Sequence, residues 1–137
     1  MAETRSLGLD IGDRWIGVAM SDPQGILASP LTIIRRTDES SGINAILAII
    51  DQNQVGVVVA GLPLSMKGSI GSQAEKVQDF AQELSAHTKI PIEYRDERLT
   101  TVEAQRLMRM TKKGRKDRDD AMAAALILQG YLEEKIA

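Results

Sequence analysis

The hydrophobic residues of this chain change their spacing near residue 41, and that change constrains the fold more than any other feature. Before it, apolar and polar residues alternate with the two-residue period of β-strands over 4–11, 14–20 and 26–35. The turn-forming steps Gly12-Asp13 and Asp22-Pro23-Gln24-Gly25 separate these runs. The first third of the chain is therefore predicted to form an antiparallel three-stranded meander.

Helical and strand patterns alternate in the rest of the chain. Helical spacing predicts helices over 41–52 and from about 74 to 87, with strands over 55–60 and 90–94. A capping box at Thr100 to Glu103 predicts a helix to about residue 110, and an alanine-rich helix should run from Asp119 or Asp120 to about residue 135. Helical crossovers join parallel strands, so we expect an α/β fold with a mixed five-stranded sheet, three strands antiparallel and then two parallel, flanked by helices. Residues 1–137 are expected to form a single domain.

Composition excludes several chemistries. The chain has no cysteine, which rules out disulfides, thiolate catalysis and cysteine-bound zinc, and its single histidine disfavours a catalytic triad or a multi-histidine metal site. No apolar run reaches the roughly 18–20 residues that span a bilayer, and the N-terminus lacks the order of a signal peptide. A cytoplasmic protein without membrane contact is expected.

A basic stretch interrupts a chain whose net charge is −2. Such a cluster in a mildly acidic chain suits a phosphate backbone, although a solvated loop after a helix would look the same. Its cations, candidates for nucleic-acid binding, are Arg106, Arg109, Lys112, Lys113, Arg115, Lys116 and Arg118.

Carboxylates stand out at three points. Asp10 lies in an apolar strand between Gly8 and Gly12, which would let a ligand approach the backbone, but it could also be the first turn residue of the hairpin. Asp96-Glu97 follows a strand end and could equally be a solvated charge cluster. Asp119-Asp120 opens a buried helix, where one aspartate suffices as an N-cap.

Together the three acidic points suggest metal chemistry. Mg²⁺ and Mn²⁺ prefer hard oxygen ligands, and carboxylates from separate elements can hold two such ions for phosphodiester hydrolysis. This mechanism needs neither histidine nor cysteine. The basic stretch ends directly before Asp119-Asp120, beside the proposed site.

Motifs along the whole chain resemble the YqgF/RuvX family, a bacterial branch of the ribonuclease H-like superfamily related to RuvC-type Holliday junction resolvases. No single motif is specific, but the ordered set is. The matching segments are Gly8-Leu-Asp10-Ile-Gly12, Ile16-Gly-Val-Ala19, Ser21-Asp22, Gly61-Leu-Pro63 through Gly68, Asp96-Glu97-Arg98-Leu-Thr100-Thr101-Val-Glu103-Ala104, and Asp120 with Ala123-Ala124 and Ile127-Leu128.

The resemblance implies a ribonuclease H-like fold in which Asp10, Glu97 and Asp120 are the catalytic acids that bind two Mg²⁺ or Mn²⁺ ions. It selects Glu97 over Asp96 and Asp120 over Asp119, although Asp119 stands where the family usually has an apolar residue. It also implies that the loop over 61–71 lines or gates the substrate groove.

The family's known roles imply an endonuclease that acts on structured nucleic acid. The first hypothesis is 5′-end processing of precursor 16S ribosomal RNA, and the alternative is Holliday junction resolution in branched DNA, whose paired cuts would require a homodimer. A non-catalytic RNA-binding module is disfavoured by the full set of acids. An actin-like ATPase is disfavoured because 137 residues supply only one of the two lobes needed to enclose a nucleotide.

Overall fold

The computed structural model describes residues 4–38, 40–99 and 121–136. The helix predicted from Thr100 to about residue 110 lies outside the described residues. In chain order, the described elements are β1 (Arg5–Ile11), β2 (Trp15–Ser21), β3 (Ala28–Arg35), α1 (Ile43–Asn53), β4 (Val55–Leu62), α2 (Ser72–Ser85), β5 (Ile92–Asp96), a 3-10 turn (Glu97–Leu99) and α3 (Met122–Ile136).

The five strands form one mixed sheet in the order β3-β2-β1-β4-β5. Strands β1, β2 and β3 pair antiparallel, and Asp10 on β1 lies opposite Gly17 on β2. Strand β4 pairs parallel with β1, with Leu9 beside Ala60, and also parallel with β5. The predicted mixed sheet is confirmed. Because β1, β4 and β5 are parallel, their carboxyl ends meet at one edge of the sheet.

Several element boundaries differ from the prediction for local reasons. The Asp22 carboxylate accepts hydrogen bonds from the backbone N–H groups of Ile26 (2.7 Å) and Leu27 (3.0 Å), so these residues belong to the turn and β3 begins at Ala28. The first hairpin closes through a 2.9 Å bond from the Gly12 N–H to the Trp15 carbonyl, which centres the turn one residue later than predicted.

The fifth strand is shifted by two residues at both ends. The Ile90 N–H donates to the Thr88 hydroxyl at 3.2 Å, which keeps Ile90 out of the sheet. The strand therefore begins at Ile92 and continues to Asp96. As a result, Glu97 follows the last strand residue directly.

Helices cover both faces of the sheet. Helices α1 and α2 pack on one face and bury the larger core, in which Leu7, Leu9, Ile46 and Leu84 are almost fully inaccessible. Helix α3 covers the other face and buries a smaller core, which contains Val59, Ala124, Ile127 and Leu128. The valine-rich strand β4 has buried residues in both cores, as its uninterrupted apolar run predicts. In the described part of the chain, no helix is long and apolar enough to cross a membrane.

Gly8 allows α3 to approach the sheet closely. A Cβ atom at Gly8 would lie 2.7 Å from the Leu128 Cβ and 2.9 Å from the Ala124 carbonyl oxygen. The expectation that Gly8 leaves room for a ligand is therefore wrong, because the helix fills that space. The glycine is needed for packing.

Candidate active site

Asp10 lies near the carboxyl end of β1, on the face of the sheet that α3 covers. Side chains of a strand alternate between faces, so Asp10 shares a face with Gly8, which packs against α3. Its partner across the hairpin, Gly17, faces Ala121. A Cβ atom built on Gly17 would lie 3.7 Å from the Ala121 Cβ. The carboxylate is half-buried. Asp10 is therefore a strand residue that points towards the start of α3, and not a turn residue.

Glu97 approaches the same place from the other side. It begins the 3-10 turn directly after β5, and its Oε1 lies 3.1 Å from the position that a Cβ atom on Gly61 would occupy. Gly61 is one residue beyond Ala60, the parallel partner of Leu9, so it lies level with Asp10 on the neighbouring strand. The structure therefore brings Asp10 and Glu97 to one edge and one face of the sheet.

Asp96 has a different role from its neighbour. The Arg98 guanidinium donates to both of its carboxylate oxygens, at 2.7 and 3.1 Å, and the Arg98 backbone N–H donates at 2.9 Å. The hydrogen bonds from the Arg98 side chain hold the pKa of Asp96 below its usual value. Asp96 is therefore engaged by Arg98, while Glu97 faces Gly61.

Helix α3 begins over the site. The Ala125 N–H donates to the Ala121 carbonyl oxygen at 3.1 Å, which makes Ala121 the residue that precedes the first helical turn. Since Ala121 lies above Gly17, the N-terminal end of α3 is at the edge that carries Asp10.

Several predicted site residues lie outside the described residues. Among residues 4–38, 40–99 and 121–136, no three acidic or histidine side chains form a group that could hold a metal ion. The third predicted acid, Asp120, precedes Ala121 in the chain but is not among them, and neither is Asp119. The same holds for the whole basic stretch, namely Arg106, Arg109, Lys112, Lys113, Arg115, Lys116 and Arg118.

Gly61 and Arg98 both lie in the matching motifs, but the sequence predicts no contact of either residue around the acids. The sequence predicts a loop that starts at Gly61, but β4 continues through this residue to Leu62. The absence of a side chain at Gly61 provides the space that the Glu97 side chain occupies. A glycine at the end of an apolar strand is a known sign of close approach by another group. The sequence contains no comparable sign of the contacts that Arg98 makes, because an Asp-Glu-Arg sequence is usually a solvated charge cluster.

Comparison with known proteins places this geometry in a family. The family model described as RuvX, Holliday junction resolvase, matches residues 4–134. A relative from Dehalococcoides mccartyi is 51% identical over 125 residues, covering 90% of this chain and 94% of its own length. A second, from Roseiflexus, is 48% identical over 134 residues, covering 96% and 95%. Both carry the provisional name pre-16S rRNA nuclease.

The chain belongs to the RuvX family. Membership confirms the resemblance drawn from the motifs and the predicted nuclease class.

Solved structures confirm the ribonuclease H-like fold. Thermus thermophilus RuvC in complex with a Holliday junction superposes with a TM-score of 0.63 at 12% identity, covering 98% of this chain and 96% of that one. The fowlpox virus resolvase in complex with Holliday junction DNA gives 0.58 at 13% identity, covering 98% and 100%. At these identities the likeness concerns the fold alone.

Proposed function

We propose that this RuvX-family chain is a metal-dependent endonuclease that processes the 5′ end of precursor 16S ribosomal RNA in the cytoplasm, as one nuclease domain spanning residues 1–137. The observation that carries the proposal is the convergence of Asp10 and Glu97 at the carboxyl edge of three parallel strands, on the face where α3 begins. Asp120 is proposed as the third acid because it directly precedes Ala121 in the chain.

The donor set suits Mg²⁺ or Mn²⁺. Two carboxylates from separate elements supply hard oxygen ligands, and cysteine is absent from the sequence. Asp10, Glu97 and Asp120 would hold two such ions, and the chemistry the ions would supply is activation of a water molecule and stabilisation of the leaving oxygen in phosphodiester hydrolysis. The glycine at position 61 is consistent with Glu97 as a metal ligand, because a side chain at position 61 would displace the Glu97 carboxylate.

The sheet fixes the backbone of both proposed metal ligands before substrate binds. Asp10 is anchored in the middle of a sheet, with β2 on one side and β4 on the other. Glu97 follows β5 without an intervening loop, so the sheet also determines where its backbone lies. Ligands carried by rigid elements hold their geometry more closely than ligands on loops, which is what a two-ion site requires.

Nucleic acid is the proposed partner, and the basic stretch from Arg106 to Arg118 is proposed to bind its phosphates. Relatives about 50% identical carry the name pre-16S rRNA nuclease, which favours the ribosomal substrate. The family description names Holliday junction resolution, so cleavage of branched DNA by a homodimer is the second candidate.

A cleavage assay tests the proposal. The purified protein is incubated with Mg²⁺ or Mn²⁺ and either precursor 16S ribosomal RNA or a four-way DNA junction, alongside Glu97→Gln. The matched control is Glu133→Gln, which removes an exposed carboxylate on α3. We expect cleavage of the RNA that is lost in Glu97→Gln and kept in Glu133→Gln. Cleavage of the junction alone would establish the second candidate, and tight binding of RNA without cleavage would contradict the enzymatic proposal.

A further inference from the structure

The loop between β4 and α2 contains a tight turn that is closed by internal hydrogen bonds. The Gly68 N–H donates to the Ser65 carbonyl at 2.8 Å, and the Ser65 N–H donates to the Ser69 carbonyl at 3.0 Å. The two serine hydroxyls lie 2.7 Å apart, within hydrogen-bonding distance. Gly68 has a φ of +82°, a conformation that glycine adopts without strain. These local contacts define the shape of the turn from Ser65 to Gly68.

The tip of this turn combines an apolar and a cationic side chain. Met66 is 94% exposed, and the neighbouring Lys67 is also exposed. An unbranched apolar side chain can insert against an unstacked base, and a lysine can contact a phosphate. These two side chains suit contact with a structured nucleic acid.

Arg98 connects the turn to the segment that carries Glu97. One of its terminal nitrogens, Nη1, donates to the Met66 carbonyl at 3.4 Å, and the guanidinium packs against Gly68, whose Cβ position would lie 3.3 Å from both terminal nitrogens. Asp96 holds the same guanidinium through both carboxylate oxygens. Arg98 therefore contacts the residue before Glu97 and the turn at the same time.

We propose that Arg98 is a positioning residue that fixes the Ser65–Gly68 turn relative to Glu97, so that the turn and the proposed catalytic carboxylate meet the substrate as one unit. This inference rests on the proposed nuclease function. An isolated exposed ion pair contributes little, but here the guanidinium bonds both oxygens of the Asp96 carboxylate and also a backbone carbonyl of a second segment.

The first test needs no catalysis. Hydrogen exchange is measured on the full chain without substrate for the wild type, Arg98→Gln and the control Arg5→Gln. Arg5 is a matched control because it also donates to a backbone carbonyl, that of Ser21 at 3.1 Å, at the opposite end of β1. We expect exchange at the Gly68 and Ser69 amides to accelerate about tenfold in Arg98→Gln only, the order expected when one such hydrogen bond is lost. Unchanged exchange at these amides would overturn the proposal.

The second test separates positioning from direct phosphate contact. If Arg98 positions the turn, Arg98→Lys and Asp96→Asn should both raise KM about tenfold with a smaller change in kcat, and the double variant should be no worse than either single one. If Arg98 only contacts phosphate, Arg98→Lys should remain near wild type and Asp96→Asn should be harmless, which contradicts the proposal. If the wild type cleaves no substrate, the nuclease function fails, while hydrogen exchange still decides the structural link.

Discussion

A methyl group at position 61 would test how closely Glu97 is placed. In Gly61→Ala the new Cβ would lie 2.6 Å from the Ile127 Cδ1 and 3.1 Å from the Glu97 Oε1. Ordinary contacts begin near 3.4 Å, so the carboxylate must retreat by about 0.3 Å and the isoleucine methyl by about 0.8 Å. Both atoms are the far ends of flexible side chains, so the loss of unfolding free energy should be near the lower end of the roughly 1–3 kcal/mol that overpacking costs.

The functional cost should exceed what this loss of stability explains. Misplacing a catalytic group by about 1 Å can reduce a rate about a hundredfold, so a shift of Glu97 by about 0.3 Å should lower kcat about fourfold. If Glu97 is a metal ligand, the variant should also need a higher Mg²⁺ concentration for half-maximal activity. The assays are single-turnover cleavage across a Mg²⁺ titration and thermal unfolding of the same samples.

Ile127→Val supplies the matched control, because it removes the methyl group that the new Cβ strikes. Alone it should cost about 0.5–1.5 kcal/mol and leave activity unchanged. In the double variant with Gly61→Ala the steric part of the stability loss should be relieved, while the catalytic loss persists because Glu97 is still displaced. If activity recovers together with stability, or if Gly61→Ala cleaves at the wild-type rate, the proposed role of the Gly61–Glu97 contact is refuted.

Three further predictions test other parts of the structure. Asp10→Asn should abolish metal-dependent cleavage. Its thermal unfolding midpoint should be unchanged or slightly higher, because the substitution removes one of two carboxylate charges at the same edge of the sheet. Full activity of the variant would remove Asp10 from the mechanism. Gly8→Ala should lower the unfolding free energy by about 1–3 kcal/mol in denaturant titrations, because its Cβ would strike α3, and a wild-type midpoint would contradict the close packing. Joint neutralisation of four cations should weaken binding and flatten its salt dependence, and an unchanged slope would exclude phosphate contacts there; the four are Lys112, Lys113, Arg115 and Lys116.

Hydrophobic periodicity was sufficient to predict the sheet and its flanking helices, because each strand and helix buries a face that the spacing of apolar residues reveals. It failed at element ends, where side-chain hydrogen bonds compete with the sheet. Asp22 removes two residues from the start of β3 by bonding their amides, and Thr88 delays β5. Such bonds depend on local geometry that the apolar pattern does not encode.

Two of the three predicted acids, Asp10 and Glu97, lie at one edge and one face of the sheet, but the sequence did not predict what surrounds them. A carboxylate inside an apolar strand, as at Asp10, is costly without a partner and therefore informative in the sequence. Gly61 and Arg98 act through contacts with residues distant in the chain, with Glu97 and with the turn at Gly68, respectively. Neither contact follows from the spacing of residues, so only the structure could reveal it.

Small residues on one face of the sheet connect packing to the proposed chemistry. Gly8, Gly17 and Gly61 all face α3. At Gly8 and Gly61 the helix or a neighbouring side chain comes closer than a Cβ atom would allow, whereas a Cβ at Gly17 would meet Ala121 and Ala124 at ordinary contact distances of 3.6–3.7 Å. The close approach at Gly8 sets the helix on the sheet, and its N-terminal end lies beside Gly17, the strand partner of Asp10. The positive end of the helix dipole favours negative charge there, which lowers the cost of holding carboxylates in a half-buried place. Gly8 fixes the helix on the sheet and Gly61 makes room for Glu97, so packing and the proposed chemistry meet on one face of the sheet. Gly61 contacts both Ile127 and Glu97, so Gly61→Ala should disturb stability and catalysis together, and Ile127→Val is the second change that separates the two effects.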